Sequence, residues 1–339
     1  MTPRICILYT GGTFGMKPSA AGYAPDGGLE AALATTLPAA GKDGMPAWDL
    51  VEYDRLIDSA EAQPADWHTI AADIAARYAD YDGFVVIHGT DTMAYTASAL
   101  SFALQGLRKP VIVTGSQIPL CEPRNDARNN LTSALLIAAR YPVPEVGLFF
   151  HDRLLRGNRA TKVASADFAA FDSPNHAALA RVGINIDINA AAVLPMPRAE
   201  HFQVVEPGTQ EVAVLRLYPG LSSARLQHLL APPLAGLVLQ TYGAGNGPVA
   251  MPGFLDALAA ASARGTVIVN LTQCQRGGVD QAKYATGSAL AGAGVVGGGD
   301  LTVEAAVTKL HHLISCGLEP DAVRRQMPLP LCGECSEPA

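Results

Sequence analysis

Three short turns carry the residues best suited to chemistry: Thr10-Gly11-Gly12-Thr13, His88-Gly89-Thr90-Asp91-Thr92 and Thr114-Gly115-Ser116-Gln117. Each follows an apolar run. Glycine permits a tight turn and a close approach of backbone to a ligand. The hydroxyls beside it supply donors, acceptors and nucleophiles. A single Gly-Thr turn is ordinary turn and cap chemistry. Repetition at the ends of successive apolar runs points to a shared ligand site. A Thr hydroxyl is a weak nucleophile until a base or a local field activates it. Lysine can be that base when burial or a nearby cation favours its neutral form. Arg159-Ala160-Thr161-Lys162-Val163-Ala164 places such a lysine among small and apolar residues, although a lysine taken alone reads as solvated. His88, beside Thr90, reads as a strand-end residue facing the core.

Other chemistries are poorly supported. No G-x-S-x-G elbow, P-loop or H-E-x-x-H occurs in the chain. Gly292-Ala-Gly294-Val-Val-Gly297 fits a dinucleotide fingerprint, but that motif must follow a strand, and Ser288–Ala291 reads as helical. Cys332-Gly-Glu-Cys335 lies in a Pro- and Gly-rich tail, where a redox pair is out of place. A zinc site there needs more ligands, with His311, His312 and Cys316 the nearest in sequence. It reads as an incidental pair, and no metal site is expected. The Gly243-Ala-Gly-Asn-Gly247 run again follows an apolar segment and could line a site.

The elements that must hold these turns alternate. Apolar runs at Ile5–Tyr9, Leu50–Tyr53, Phe84–Ile87, Val111–Thr114 and Val146–Phe150 are continuous, which marks parallel strands covered on both faces. Between them lie helical stretches at Trp67–Tyr78, Met93–Leu104 and Ala127–Arg140. A second alternating block holds strands at Val212–Leu217, Gly236–Leu239 and Thr266–Asn270. Its helices are Ala224–Leu230, Phe254–Ala263 and Val303–Ile314, the last capped by Asp300 or Thr302. The expected fold class is α/β, with two doubly wound domains of mainly parallel sheets, the larger N-terminal and the smaller C-terminal. The expected boundaries are 1–189, a linker at 190–211 containing Pro195, Pro197 and Pro207, and 212–339. Ligands of such sheets bind beyond the carboxyl ends of the strands, where the three turns fall.

Composition narrows the classes. The chain has 339 residues, 49% hydrophobic and 16% charged, which excludes a disordered polymer. Lysine and arginine number 24 against 31 acidic residues, a net charge of −7, so a generally basic nucleic-acid binder is not expected. No apolar stretch reaches the roughly 18 residues of a membrane span, and the N-terminus carries no secretory pattern. The six cysteines are scattered among mostly apolar neighbours, as reduced thiols are. A cytoplasmic protein is expected. On that expectation, the glycosylation-like Asn130-Leu-Thr and Asn270-Leu-Thr carry no meaning.

Together these segments resemble the L-asparaginase family, amidohydrolases that convert asparagine to aspartate and ammonia. Thr10-Gly-Gly-Thr13 is similar to its first signature, with Phe14 where Ile is more usual. His88-Gly-Thr90-Asp91-Thr92 is similar to the second. Arg156-Gly-Asn-Arg-Ala-Thr-Lys162 with Ala170-Phe-Asp-Ser-Pro-Asn175 resembles the lysine segment. The absent leader, Gly22-Tyr23-Ala-Pro25, Gly243–Gly247 and Tyr284-Ala-Thr-Gly-Ser288 lean toward the bacterial cytoplasmic type I branch. The resemblance implies Thr13 as nucleophile and Tyr23, in a mobile segment Gly15–Gly28, as its hydrogen-bonded activator. It implies that Lys162 tunes Thr90 and a bound water, and that Asp91 holds the substrate α-ammonium. Asp58, Ser59 and Ala60 would take the α-carboxylate, and Ser116 would line the substrate site. Ala60 replaces a larger polar residue of some relatives. No metal and no cofactor are implied, and a homodimer or homotetramer is. An effector pocket is implied at Thr161, Gln240 and Cys274. Allosteric members tend to carry Arg where Gln240 stands, so weakened effector binding and near-hyperbolic kinetics are expected. Two alternatives remain at this point: a glutaminase-asparaginase or ammonia-releasing amidotransferase subunit, and a non-catalytic amino-acid sensor on the same fold.

Overall fold

A computed structural model describes residues 2–337 apart from 21, 26–27, 199–201, 207, 209 and 284. The chain divides into two compact units, Met1–Val204 and Val205–Ala339. In the first, β1 (Arg4–Tyr9), β2 (Ala47–Glu52), β3 (Gly83–Ile87), β4 (Val111–Thr114) and β5 (Val146–Phe150) form a parallel array in the order β2-β1-β3-β4-β5. Period-two alternation sends the side chains of β1 to opposite faces. Ile5, Ile7 and Tyr9 pack with Leu29 and Leu33 of α1 (Leu29–Thr36) and with Leu131 and Leu135 of α4 (Ala127–Arg140). Cys6 and Leu8 face Ile70 and Ile74 of α2 (Pro64–Arg77) and Ala97 and Leu100 of α3 (Met93–Ala103). Helices on both faces explain why these strands are apolar without interruption. Truncating a buried side chain such as Ile7 to Ala would cost about 2–5 kcal/mol.

The sheet continues beyond the continuous apolar runs. β6 (Arg153–Arg156), β7 (Ala180–Val182) and β8 (Ile186–Ile188) extend it antiparallel from β5. A buried ion pair fixes this edge. Arg156 Nε donates to Glu145 Oε2 at 2.6 Å, and the other carboxylate oxygen accepts from Leu194 N–H at 2.7 Å. Short antiparallel ribbons add to the unit, among them Met16–Ser19 with Gly22–Pro25 and Thr161–Lys162 with Phe171–Asp172. Part of the stretch expected as a linker belongs to the first unit. Gln203–Val204 pairs with Leu104–Gln105, and the Phe202 ring stacks on Tyr78 at 3.8 Å. Pro207 lies outside the described residues.

The second unit has a wholly parallel sheet in sequential order, β9 (Glu211–Arg216), β10 (Leu234–Thr241), β11 (Val267–Thr272) and β12 (Val295–Gly297). Leu237, Leu239 and Ile268 meet Leu226, Phe254, Leu258 and Leu290 in its core. β12 falls inside the G-x-G-x-x-G match instead of ahead of it, and Ala285–Gly292 is helical, so the match is not a nucleotide turn. Thr302 caps Val303–Ser315 by accepting from Ala305 N–H, while Asp300 instead holds Ser336. That helix carries Lys309, fully buried and paired with Glu334 at 2.6 Å. Lys309 also donates to the carbonyls of Met327 and Leu329, and Glu334 accepts from Leu331 and Cys332 N–H. Burial pushes the Glu334 carboxyl up, but the Lys309 ammonium and these donors outweigh it and bring it below the usual range.

Candidate active site

Strand order brings the sequence turns together. The chain runs from β1 to β2 on one side, then returns past β1 to β3, so a crevice opens at the carboxyl ends of β1 and β3. Thr10–Thr13 follows β1, and His88–Thr92 follows β3. Glycine closes the gap between them. A Cβ on Gly12 would overlap the backbone of Gly89, and one on Gly11, at φ +130°, the backbone of Ile57. A Cβ on Gly89 would strike the Ser59 side chain, and one on Gly115 the carbonyl of His88. Four chain segments therefore touch at backbone distance. Two turn hydroxyls only stitch strand ends, Thr10 Oγ1 donating to Ile87 O and Thr114 Oγ1 to Phe149 O.

Lys162 reaches this centre from the ribbon Thr161–Lys162. Its Nζ donates to Thr90 Oγ1 at 2.9 Å and to Asp91 Oδ1 at 2.8 Å. Thr90 is buried, whereas the Asp91 side chain is 64% exposed and open to an incoming cation. A lysine bonded in this way can tune the Thr90 hydroxyl and, once neutral, accept its proton.

Ser59 stands next to Asp91. Its buried hydroxyl accepts from Asp91 N–H at 3.3 Å, and its carbonyl accepts from Thr92 Oγ1 at 2.7 Å. Asp58 Oδ1 caps the turn through Ala60 N–H at 3.0 Å. Asp58 and Ala60 are exposed. Thr13 opens the turn Thr13–Gly15 and is partly exposed, with its carbonyl accepting from Met16 N–H. Ser116 is buried, and its hydroxyl has no partner among the described residues.

Tyr23 has its own partner. Its phenol donates to Glu122 Oε1 at 2.6 Å, and that carboxylate holds the phenol above its usual range. In this structure the Tyr23 O–H therefore points at Glu122. The expected mobile segment Gly15–Gly28 contains the Met16–Pro25 ribbon, and Ala21, Asp26 and Gly27 lie outside the described residues. Leu120 N–H and Cys121 Sγ also reach this segment, at Phe14 O and Met16 O. His88 faces inward, its ring between Gly89 O at 2.7 Å and Thr96 Oγ1 at 3.0 Å. Burial lowers its pKa, so it stays neutral and braces the Gly89 turn.

Three residues were given no role in the site by the sequence reading. Gln117 Oε1 accepts from Thr90 Oγ1 at 3.3 Å. Asp126 takes the backbone N–H of Gln117 and Ile118, and Asn130 Nδ2 bridges Asp126 and Gly115 O. Asn130 and Asn270 are both buried, which removes any glycosylation reading. Gln117 ends the third turn, and for Asp126 and Asn130 the available signal was the polar string Asn125-Asp126 before α4. Among the residues expected for an effector, Thr161 lies in the first unit, and Gln240 and Cys274 in the second. The Gln240 carbonyl accepts from Gln273 Nε2 at 3.0 Å, and Cys274 N–H donates to Thr272 Oγ1. Tyr284 lies outside the described residues. Among the described residues, no group of three or more His, Cys, Asp or Glu is placed to hold a metal ion.

Comparison with known proteins agrees across the chain. The family model for the asparaginase N-terminal domain matches residues 4–194, and that for the glutaminase/asparaginase C-terminal domain matches 211–327. L-asparaginase 1 of Escherichia coli (strain K12) is 51% identical over 97% of both chains. The crystal structure of L-asparaginase I from Vibrio cholerae superposes with a TM-score of 0.91 at 46% identity, covering 99% of this chain and 100% of that one. The 60 kDa lysophospholipase of Homo sapiens is 43% identical over 99% of this chain, which spans 62% of that protein's length.

Proposed function

The chain belongs to the asparaginase family, and we infer from that premise that it is an L-asparaginase. It hydrolyses L-asparagine to L-aspartate and ammonia. The observation that carries the assignment of parts is Lys162 Nζ bridging Thr90 Oγ1 and Asp91 Oδ1. Thr13 Oγ attacks the side-chain amide carbon, and the carbonyl oxygen takes up negative charge. Backbone N–H groups of the glycine turns stabilise that charge, each worth about 3 kcal/mol in other enzymes. The C–N bond then breaks, ammonia leaves carrying the proton that the Thr13 hydroxyl gave up, and an acyl-Thr13 ester remains. Water attacks the ester, aspartate departs, and the Thr13 hydroxyl is restored. Thr90 and Lys162 tune the water, and Asp91 binds the α-ammonium. Ser59 and the turn N–H groups behind Asp58 and Ala60 bind the α-carboxylate, and Ser116 lines the pocket.

Asparagine is preferred over glutamine, a difference of one methylene that a fitted pocket turns into about 10–200-fold. The protein works in the cytoplasm as a homodimer or homotetramer. No helix among the described residues is long and apolar enough to cross a membrane. The reaction as drawn needs no metal or cofactor. Ammonia release by purified protein tests the reading, with glutamine and a lysophospholipid as competing substrates. Release from asparagine that survives EDTA supports it. Turnover of the lysophospholipid alone defeats it.

A further inference from the structure

Gln117 has no part in the reaction as derived above, yet its side chain joins two pieces of the site. Its backbone is fixed from behind, since Gln117 N–H lies 3.1 and 3.0 Å from the Asp126 carboxylate oxygens. The side-chain amide is therefore aimed by a main chain that does not depend on it. Its Nε2 donates to the carbonyls of Ser165 at 3.4 Å and Asp167 at 3.1 Å. Carbonyl oxygens accept only, so the NH2 end must face them and the oxygen end must face Thr90. Thr90 Oγ1 lies 3.3 Å from that oxygen and also accepts from Lys162 Nζ at 2.9 Å. A hydroxyl has one proton. With Lys162 donating to the oxygen, the Thr90 proton points at Gln117.

We propose that Gln117 is a positioning residue that fixes the rotation of the Thr90 hydroxyl. The proposal rests on the reading of Thr90 and Lys162 given above. The loop end of the link has little buried surface of its own. Ser165, Ala166 and Asp167 are exposed, and with Gln117, Ile118 and Arg124 they line a cavity of about 390 Å³. Without the amide, the Thr90 hydroxyl can turn away from the Lys162 line. That costs alignment in the transition state more than it costs substrate binding, and misalignment of this size lowers turnover by about 10- to 100-fold.

The test compares Gln117→Met, which removes all three side-chain hydrogen bonds at similar length, with Gln117→Glu, which keeps an acceptor toward Thr90 and loses the donors toward the loop. Both variants and the parent protein are assayed for kcat and KM on asparagine and for thermal midpoint. The expected result is a kcat about 10- to 100-fold lower for Gln117→Met with KM within about threefold. Gln117→Glu should recover most of that loss, with all midpoints within a few degrees. A normal kcat for Gln117→Met overturns the proposal. So does a common fall of kcat, affinity and midpoint that Gln117→Glu does not relieve, because that pattern marks a structural role. If the parent protein releases no ammonia from asparagine, the functional reading falls and the proposal with it. An active parent with indifferent variants defeats Gln117 alone.

Discussion

The Tyr23 phenol and the Glu122 carboxylate form a 2.6 Å hydrogen bond that competes with any duty of Tyr23 toward Thr13. A phenol donates one proton, so it serves Glu122 or Thr13 but not both. Tyr23 is half exposed, which keeps the contact weak enough to exchange. Glu122→Ala should therefore raise kcat/KM by about two- to fivefold, and the gain should vanish in a Tyr23→Phe background. An unchanged kcat/KM would show that the contact does not hold Tyr23 back.

Thr13→Ala and Thr90→Val should each lower kcat by about 10³-fold or more, since each removes a hydroxyl the reaction uses. Lys162→Met should do the same while the thermal midpoint stays within a few degrees, because Lys162 is only partly buried and Met keeps much of its apolar stem. Steady-state kinetics beside a melting curve separate the two effects. Near-normal turnover in any of the three would remove that residue from the mechanism.

Acidification should destabilise the fold through His88. Burial lowers its pKa in the folded state below the value of about 6.5 that it regains when unfolded. Between those two values the unfolded chain binds more protons, so stability rises with pH and falls as pH drops below about 6.5. His311 and His312, also lowered by burial, add in the same direction. Melting midpoints from pH 7.5 to 5 should fall for the parent and fall less for His88→Gln. Parallel curves would take His88 out of the account.

Lys309→Met alone should destabilise the second unit by about 3–5 kcal/mol, because Glu334 would be left charged and buried. Lys309→Met with Glu334→Leu should recover most of the loss, since an apolar pair of similar volume avoids the desolvation penalty. Urea midpoints of both variants check this. Equal losses in the single and double variants would mean that the hydrogen bonds of the tail dominate over the charge.

The parent enzyme should show near-hyperbolic dependence on asparagine. Gln240→Arg should introduce sigmoidal dependence by restoring a charge-assisted contact for an effector carboxylate, worth about 10- to 150-fold in affinity. A Hill coefficient well above one in the parent would contradict the loss. A hyperbolic Gln240→Arg variant would show that the rest of that pocket is missing.

Legibility in the sequence followed burial. β1, β3, β4 and β5 stood out because strands covered on both faces are apolar throughout, and α4 was bounded to the residue. β6, β7 and β8 were invisible, because Arg153, Arg181 and Asp187 interrupt them and their pairing depends on tertiary contacts such as Arg156–Glu145. The turns at Thr13, Thr90 and Ser116 were legible from glycine beside hydroxyl. Lys162 could be singled out, but its bond to Thr90 spans 72 positions and no local pattern records it. Asp126, Glu334 and Gln117 were given no role for a common reason. Each meets partners that include backbone atoms, and backbone leaves no signature in the identity of the partner residues.

The approach of Gly12 to Gly89 has a consequence for anyone who wishes to change what the enzyme accepts. A side chain on Gly12 runs into the main chain of Gly89, which cannot rotate aside, and one on Gly89 runs into the Ser59 side chain. A library randomised at either glycine would return almost wholly dead clones, and double replacement would offer no escape because both clashes persist. The productive ground for directed evolution lies instead around the rim. Ala60 is exposed and small, and a larger polar side chain there would meet solvent before backbone.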